Sequence, residues 1–84
     1  MADKISIHVK CFSHIKQALG VDELNLTVST GSTCSDLEKE IRTMAQGKLD
    51  DISFRFAVNL VYKPNDQVLE NGDEVALIPP VQGG

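Results

Sequence analysis

The chain has 84 residues, with twelve acidic side chains against eight basic ones and a net charge of −4. A domain of this size buries only about two thirds of its unfolded surface, so its thin core has no room for a deep, water-excluding active site. The basic residues are scattered singly from Lys4 to Lys63, which excludes the basic footprint a nucleic-acid binder needs to displace counterions from phosphates.

From Lys4 to Phe12 apolar and polar residues alternate, with Ile5, Ile7, Val9 and Cys11 on one side, so a half-buried strand is predicted. Ser13 then offers a side-chain oxygen to cap a short helix, Ser13 to Leu19, and Gly20 suits its left-handed exit. Glu23 to Val28 alternates again, with Leu24, Leu26 and Val28 inward, and forms an adjacent pair with the first strand. After the turn cluster Ser29 to Ser32, Cys34, Leu37, Ile41 and Met44 recur at spacings of three and four, the stripe of an amphipathic helix. Thr33 with Asp36, or Ser35 with Glu38, fits a capping box at its start, and Gly47 closes it.

Lys48 to Phe54 reads as a polar connection with room for one helical turn, and Phe56 to Tyr62 as an apolar strand. Lys63 to Asp66 is a turn, Gln67 to Leu69 a short strand, and Asn71-Gly72-Asp73 a tight turn. Glu74 to Ile78 is the last strand, halted by Pro79-Pro80, which cannot donate ladder hydrogen bonds. The expected fold class is α+β, a four- to five-stranded sheet packed on one main helix. One domain is expected over residues 1–78, followed by an extended tail, 79–84.

One helix covers one face of such a sheet, yet the late strands are apolar on both parities. An outward set of Leu60, Tyr62, Ala76 and Ile78 would form a partner surface. The other reading folds the 48–54 connection or the short helix over that face. Cys11 and Cys34 both fall in apolar stripes and are read as core, although a helix start can also lower a thiol pKa at Cys34. His8 and His14 lack partners at metal-ligand spacing, and no metal site is expected. No apolar run is long enough to cross a bilayer, so the expected setting is soluble and cytosolic, away from membranes.

The tail Pro79-Pro80-Val81-Gln82-Gly83-Gly84 carries the chemistry. Two prolines hold the backbone extended, and two glycines leave a carboxylate with no side chain beside it. Such an end can thread a narrow channel and offer its acyl carbon to an ATP-dependent activating enzyme. The plainer reading, a frayed terminus, does not account for the stiff spacer in front of it.

Ala57-Val58-Asn59, followed by Asn71-Gly72-Asp73-Glu74-Val75-Ala76-Leu77-Ile78-Pro79-Pro80-Val81-Gln82-Gly83-Gly84, closely resembles the small subunit of molybdopterin synthase in the MoaD/ThiS ubiquitin-like family. Thiamine sulfur carriers share the Gly-Gly but usually lack Pro-Pro-Val. The resemblance implies a β-grasp fold and a sulfur carrier that binds no cofactor of its own. It further implies that an E1-like enzyme adenylates Gly84 with ATP and that sulfur then makes it a 1-thioglycine thiocarboxylate. The implied partner is the large catalytic subunit, in a heterotetramer, which passes the sulfur to cyclic pyranopterin monophosphate. The chemistry up to the adenylate is shared with a ubiquitin-like modifier joined to lysines through Gly84, and with carriers for thiamine or tRNA thiolation. A β-grasp adaptor with an inert end is the remaining alternative.

Overall fold

The computed structural model describes residues 3–78, and the tail expected over 79–84 lies outside the described residues. Strands β1 (Lys4–Lys10) and β2 (Glu23–Ser29) flank helix α1 (Ser13–Leu19), and helix α2 (Cys34–Ala45) follows. Strands β3 (Arg55–Val58), β4 (Val61–Lys63) and β5 (Glu74–Ile78) complete a five-stranded sheet of order β2-β1-β5-β3-β4. β1 and β5 run parallel at its centre, and the other pairings are antiparallel.

The register lines the apolar residues up on one face. Ile5 faces Val28, Ile7 faces Leu26 and Val9 faces both Leu24 and Val75. Phe56 pairs with Leu77 and Val58 with Val75. Against this face α2 lays Cys34, Leu37, Ile41 and Ala45, all buried. Ile15 of α1 is buried in the same cluster. Burying a side chain such as Leu37 contributes about 2 kcal/mol relative to leaving it in water.

Five details depart from the sequence reading. The stripe on α2 ends at Ala45, and Met44 is 44% exposed; the buried line runs Cys34, Leu37, Ile41, Ala45, so its last step from Ile41 is four residues and not three. The cap of α1 is Phe12, in extended conformation and without a side-chain cap, so Ser13 opens the helix as its first residue. Gly20 takes the left-handed exit at φ 76° as expected. At the end of α2 the left-handed residue is Gln46, and Gly47 follows it with φ 91°. Finally, the apolar run from Phe56 to Tyr62 is not one strand. Asn59 and Leu60, with φ of 50° and 73°, turn the chain between β3 and β4. Between Gln67 and Leu69 a single bridge, Val68 to Thr33, stands where a short strand was expected.

The segment after α2 is less polar in effect than in composition. Leu49 is buried, and Ile52 and Phe54 pack against the core. Arg42 organises it: the guanidinium donates to the carbonyls of Leu49 and Ile52, its Nε reaches Glu38 at 2.6 Å, and it lies 4.9 Å from the Phe54 ring centre. Arg42→Ala leaves two carbonyls of this segment without their charged donor, so we expect a loss of about 2 kcal/mol in denaturant unfolding. Arg42→Lys restores little, because an ammonium cannot fork between two carbonyls.

The capping box of α2 forms between Thr33 and Asp36. The Asp36 carboxylate accepts from the Thr33 amide at 3.0 Å, while the Asp36 amide donates to Thr33 Oγ1 at 3.2 Å. The Thr33 backbone bond, then its side-chain bond, holds the Asp36 pKa below its ordinary 3.8. A depressed carboxylate pKa contributes stability that is complete above the unfolded value and fades as pH falls through the folded one. Wild type is therefore expected to exceed Asp36→Asn in thermal midpoint at neutral pH, with the gap closing below pH 3.8.

Candidate functional site

The side chains expected to form a partner surface lie on the sheet face away from the helices. Paired residues on neighbouring strands share a face. Tyr62 pairs with Ala57, Ala57 with Ala76, Ala76 with Lys10, and Arg55 with Ile78. This row alternates with the buried Phe56, Val58, Val75 and Leu77 and so points outward. The 48–54 segment and the short helix join the core side through Leu49, Ile52, Phe54 and Ile15. The reading in which they fold over the outer face is thereby excluded.

Each expected patch residue has its place. Ile78 and Ala76 are half-buried on β5, Tyr62 is 64% exposed on β4, and Leu60 is 92% exposed. Leu60 stands in the turn rather than inside a strand. With Ala76 it lines a hollow of about 180 Å³ together with Lys10, Phe12, Ala57 and Glu74. Phe12, 49% exposed, is the residue that sequence reasoning passed over. Its signal was available in the β1 alternation, for Cys11 points inward and the next side chain must point out. Pro79, Pro80, Val81, Gln82, Gly83 and Gly84 lie outside the described residues, and Ile78 is where the described chain leads into them.

The cysteines are not reactive centres. Cys34 is buried, and its burial, helped by the Asp73 charge, pushes its thiol up to about 11. Burial, with Asp22 and Glu23, also raises Cys11. His8 contacts Asn25 Oδ1 at 2.8 Å and Glu23 Oε1 at 3.1 Å, within a surface network that also holds Lys10. Among the described residues no group of three or more His, Cys, Asp or Glu is placed to hold a metal, and no helix is long and apolar enough to cross a membrane.

The start of α2, the natural place for a phosphate, is already occupied by the chain itself. The amides of Cys34 and Ser35 donate to the carbonyls of Gln67 at 3.0 Å and Asn65 at 2.8 Å, and that of Asp36 to Thr33. No free donor remains there for a nucleotide. What the described residues present is an outer sheet face on which Ala57, Tyr62, Ala76 and Ile78 lie among Lys10, Arg55 and Glu74.

A mixed five-stranded sheet closed on one side by helices, with that outer face open, defines a ubiquitin-like β-grasp protein. The ThiS family model matches residues 9–84, and the chain belongs to the ThiS family. It is 36% identical over 84 residues to the molybdopterin synthase sulfur carrier subunit of Chlamydomonas reinhardtii, covering 95% of this chain and 100% of that protein. A solved chain from Pyrococcus furiosus, assigned as molybdopterin converting factor, subunit 1, superposes with a TM-score of 0.83 at 30% identity, over 92% of this chain and 99% of that one. Small archaeal modifier protein 1 of Haloferax volcanii superposes at 0.81 with 17% identity, over 92% and 99% of the two chains, a likeness of fold.

Proposed function

We propose that this chain is the sulfur-carrier subunit of a molybdopterin synthase, charged at the α-carboxylate of Gly84. The observation that carries the reading is the end-to-end 36% identity to a subunit of that name, in a chain whose last residues are Gly83-Gly84. The Gly84 carboxylate attacks the α-phosphorus of ATP on an E1-like enzyme, forming the acyl-adenylate and releasing pyrophosphate. A sulfur donor at the sulfide level then displaces AMP and leaves the thiocarboxylate. Neutral pH keeps that group ionised and nucleophilic. The tethered sulfur is delivered to the pterin precursor on the large catalytic subunit at a high effective concentration. Hydrolysis of the remaining acyl bond regenerates Gly84. The filled start of α2 supports a division of labour in which the activating enzyme, and not this chain, binds ATP. The setting proposed is the cytosol, and the assembly a heterotetramer.

A modifier joined to lysines would share every step up to the adenylate, and the archaeal modifier shares the fold. Its 17% identity says nothing of chemistry, whereas the 36% and 30% relatives carry molybdopterin names. The test is intact mass after incubation with the activating enzyme, ATP and sulfide. One oxygen should be exchanged for one sulfur, and the gain should vanish on adding the large subunit and the cyclic pterin. Stable adducts on lysines of other proteins would instead establish the modifier, and an unchanged mass under every condition would leave an adaptor.

A further inference from the structure

In Asn71-Gly72 no β-carbon shields the backbone nitrogen that follows the asparagine. That nitrogen can attack the side-chain carbonyl carbon and close a five-membered ring. A bond forms between Gly72 N and Asn71 Cγ, the bond from Cγ to Nδ2 breaks, and ammonia leaves with the proton that Gly72 N gives up. Water then opens the cyclic imide at either carbonyl. One opening leaves an aspartate, the other an isoaspartate whose main chain runs through the former side chain.

Residues 70–73 form the turn that enters β5. The Asp73 amide donates to the Glu70 carbonyl at 3.1 Å, and Gly72 takes φ 88°, as a type II turn requires of its third residue. Asn71 is exposed, so water reaches its side chain. Both reacting groups are nevertheless held by Ser6 of β1. Its amide donates to Asn71 Oδ1 at 2.8 Å, and its carbonyl accepts from the Gly72 amide at 2.8 Å. The imide nitrogen carries no hydrogen, so ring closure must break the bond from Gly72 to Ser6. Before that, a Gly72 amide stripped of its proton would set negative charge against the Ser6 carbonyl oxygen. Asp73, fixed by Asn59 Nδ2 at 2.9 Å and by the Glu70 amide at 2.8 Å, further disfavours a negative charge beside it. We infer that Asn71 is a deamidation site that the β1 backbone keeps closed, and that it reacts through opening of the 70–73 turn. The two products differ in consequence. Aspartate keeps the main chain and an oxygen for the Ser6 amide. The isoaspartyl link adds one carbon to the backbone, so the turn no longer matches both partners on Ser6. The next bond runs from the His8 amide to the Asp73 carbonyl at 2.9 Å, where the parallel pairing of β1 with β5 begins. The damage therefore falls on the central pair of the sheet.

The test incubates the full chain at mildly alkaline pH, folded and unfolded in guanidinium chloride, and follows amide-to-acid conversion by peptide mass mapping. The unfolded chain is expected to convert at Asn71, and the folded chain at least about tenfold more slowly, as for any reaction that waits on local opening. Equal rates in the two states overturn the closed site. Conversion at Asn25, Asn59 or Asn65 in place of Asn71 overturns the assignment. The isoaspartyl chain, separated from the unfolded incubation and returned to native buffer, is expected to melt below wild type, with faster hydrogen exchange at the His8 amide. N71D carries the new charge without the extra backbone carbon and should keep the His8 amide protected. An isoaspartyl chain that melts and exchanges like wild type overturns the consequence for β1 and β5, and so does a matching loss in N71D.

Discussion

Deleting Gly83 and Gly84 is expected to reduce sulfur transfer to background while moving the thermal midpoint by no more than about 3 °C, since neither glycine has a side chain to bury. Among the described residues the core cluster runs from Ile5 to Leu77, and a glycine brings no side chain to pack. The proposed chemistry, by contrast, uses one group of this chain, the Gly84 carboxylate. On that proposal, a terminus two residues shorter ends short of the activating enzyme's reacting centre. Adding one residue beyond Gly84 should be as damaging, because the glycine carbonyl then becomes an amide that cannot be adenylated. Gly83→Ala tests the steric part alone: it keeps the carboxylate and adds a β-carbon, so transfer should fall without being abolished. Intact mass after activation reads all three variants. A doubly truncated chain that still supports cofactor synthesis would remove Gly84 from the mechanism.

Tyr62→Asp is expected to weaken binding to the large subunit by about thirtyfold or more, the loss of an interface anchor, with a folded and cooperatively melting domain. Tyr62 pairs with Ala57 on the outer face and is 64% exposed, so an aspartate there meets water in the free protein. Only the bound state has to desolvate the new charge. The control is Val58→Asp, one hairpin residue away on the opposite face and 6% exposed. That carboxylate would be buried between Val75 and Val61 partners, and the domain should unfold. If Tyr62→Asp lowers the midpoint as Val58→Asp does, Tyr62 is a structural residue and the outer face is not the partner surface.

Tyr62→Asp and its control Val58→Asp use opposite parities of one sheet, and parity was the part of this fold that the residues left open. The alternation of Ile5, Ile7, Val9 and Cys11 was legible because polar residues separate them. So were the left-handed Gly20 and a capping box at the start of α2, narrowed to Thr33 with Asp36 or Ser35 with Glu38, both of which are set by contacts within a few residues; the bounds of the last strand, Glu74 to Ile78, were legible from the turn before it and the prolines that follow in the sequence. Phe56 to Tyr62 misled because apolar residues stand on both parities, and an exposed leucine in a turn reads like a strand residue. Asn59 carried the one available signal, since asparagine accepts positive φ. The partners that lock it, Asp73 and Glu74, are 14 and 15 positions away.

The sequence by itself determined the family resemblance and the order of the elements, and the chemistry proposed for Gly84 was read there too, because it rests on covalent structure and not on packing. Tertiary structure decided which face of the sheet stays open, how α2 is capped by the carbonyls of Asn65 and Gln67, and where Leu60 points. The physical reason is one of range. Local conformation and covalent chemistry are written in neighbouring residues, whereas burial depends on which distant segments pack together, and here the helices and the 48–54 segment all chose the same side.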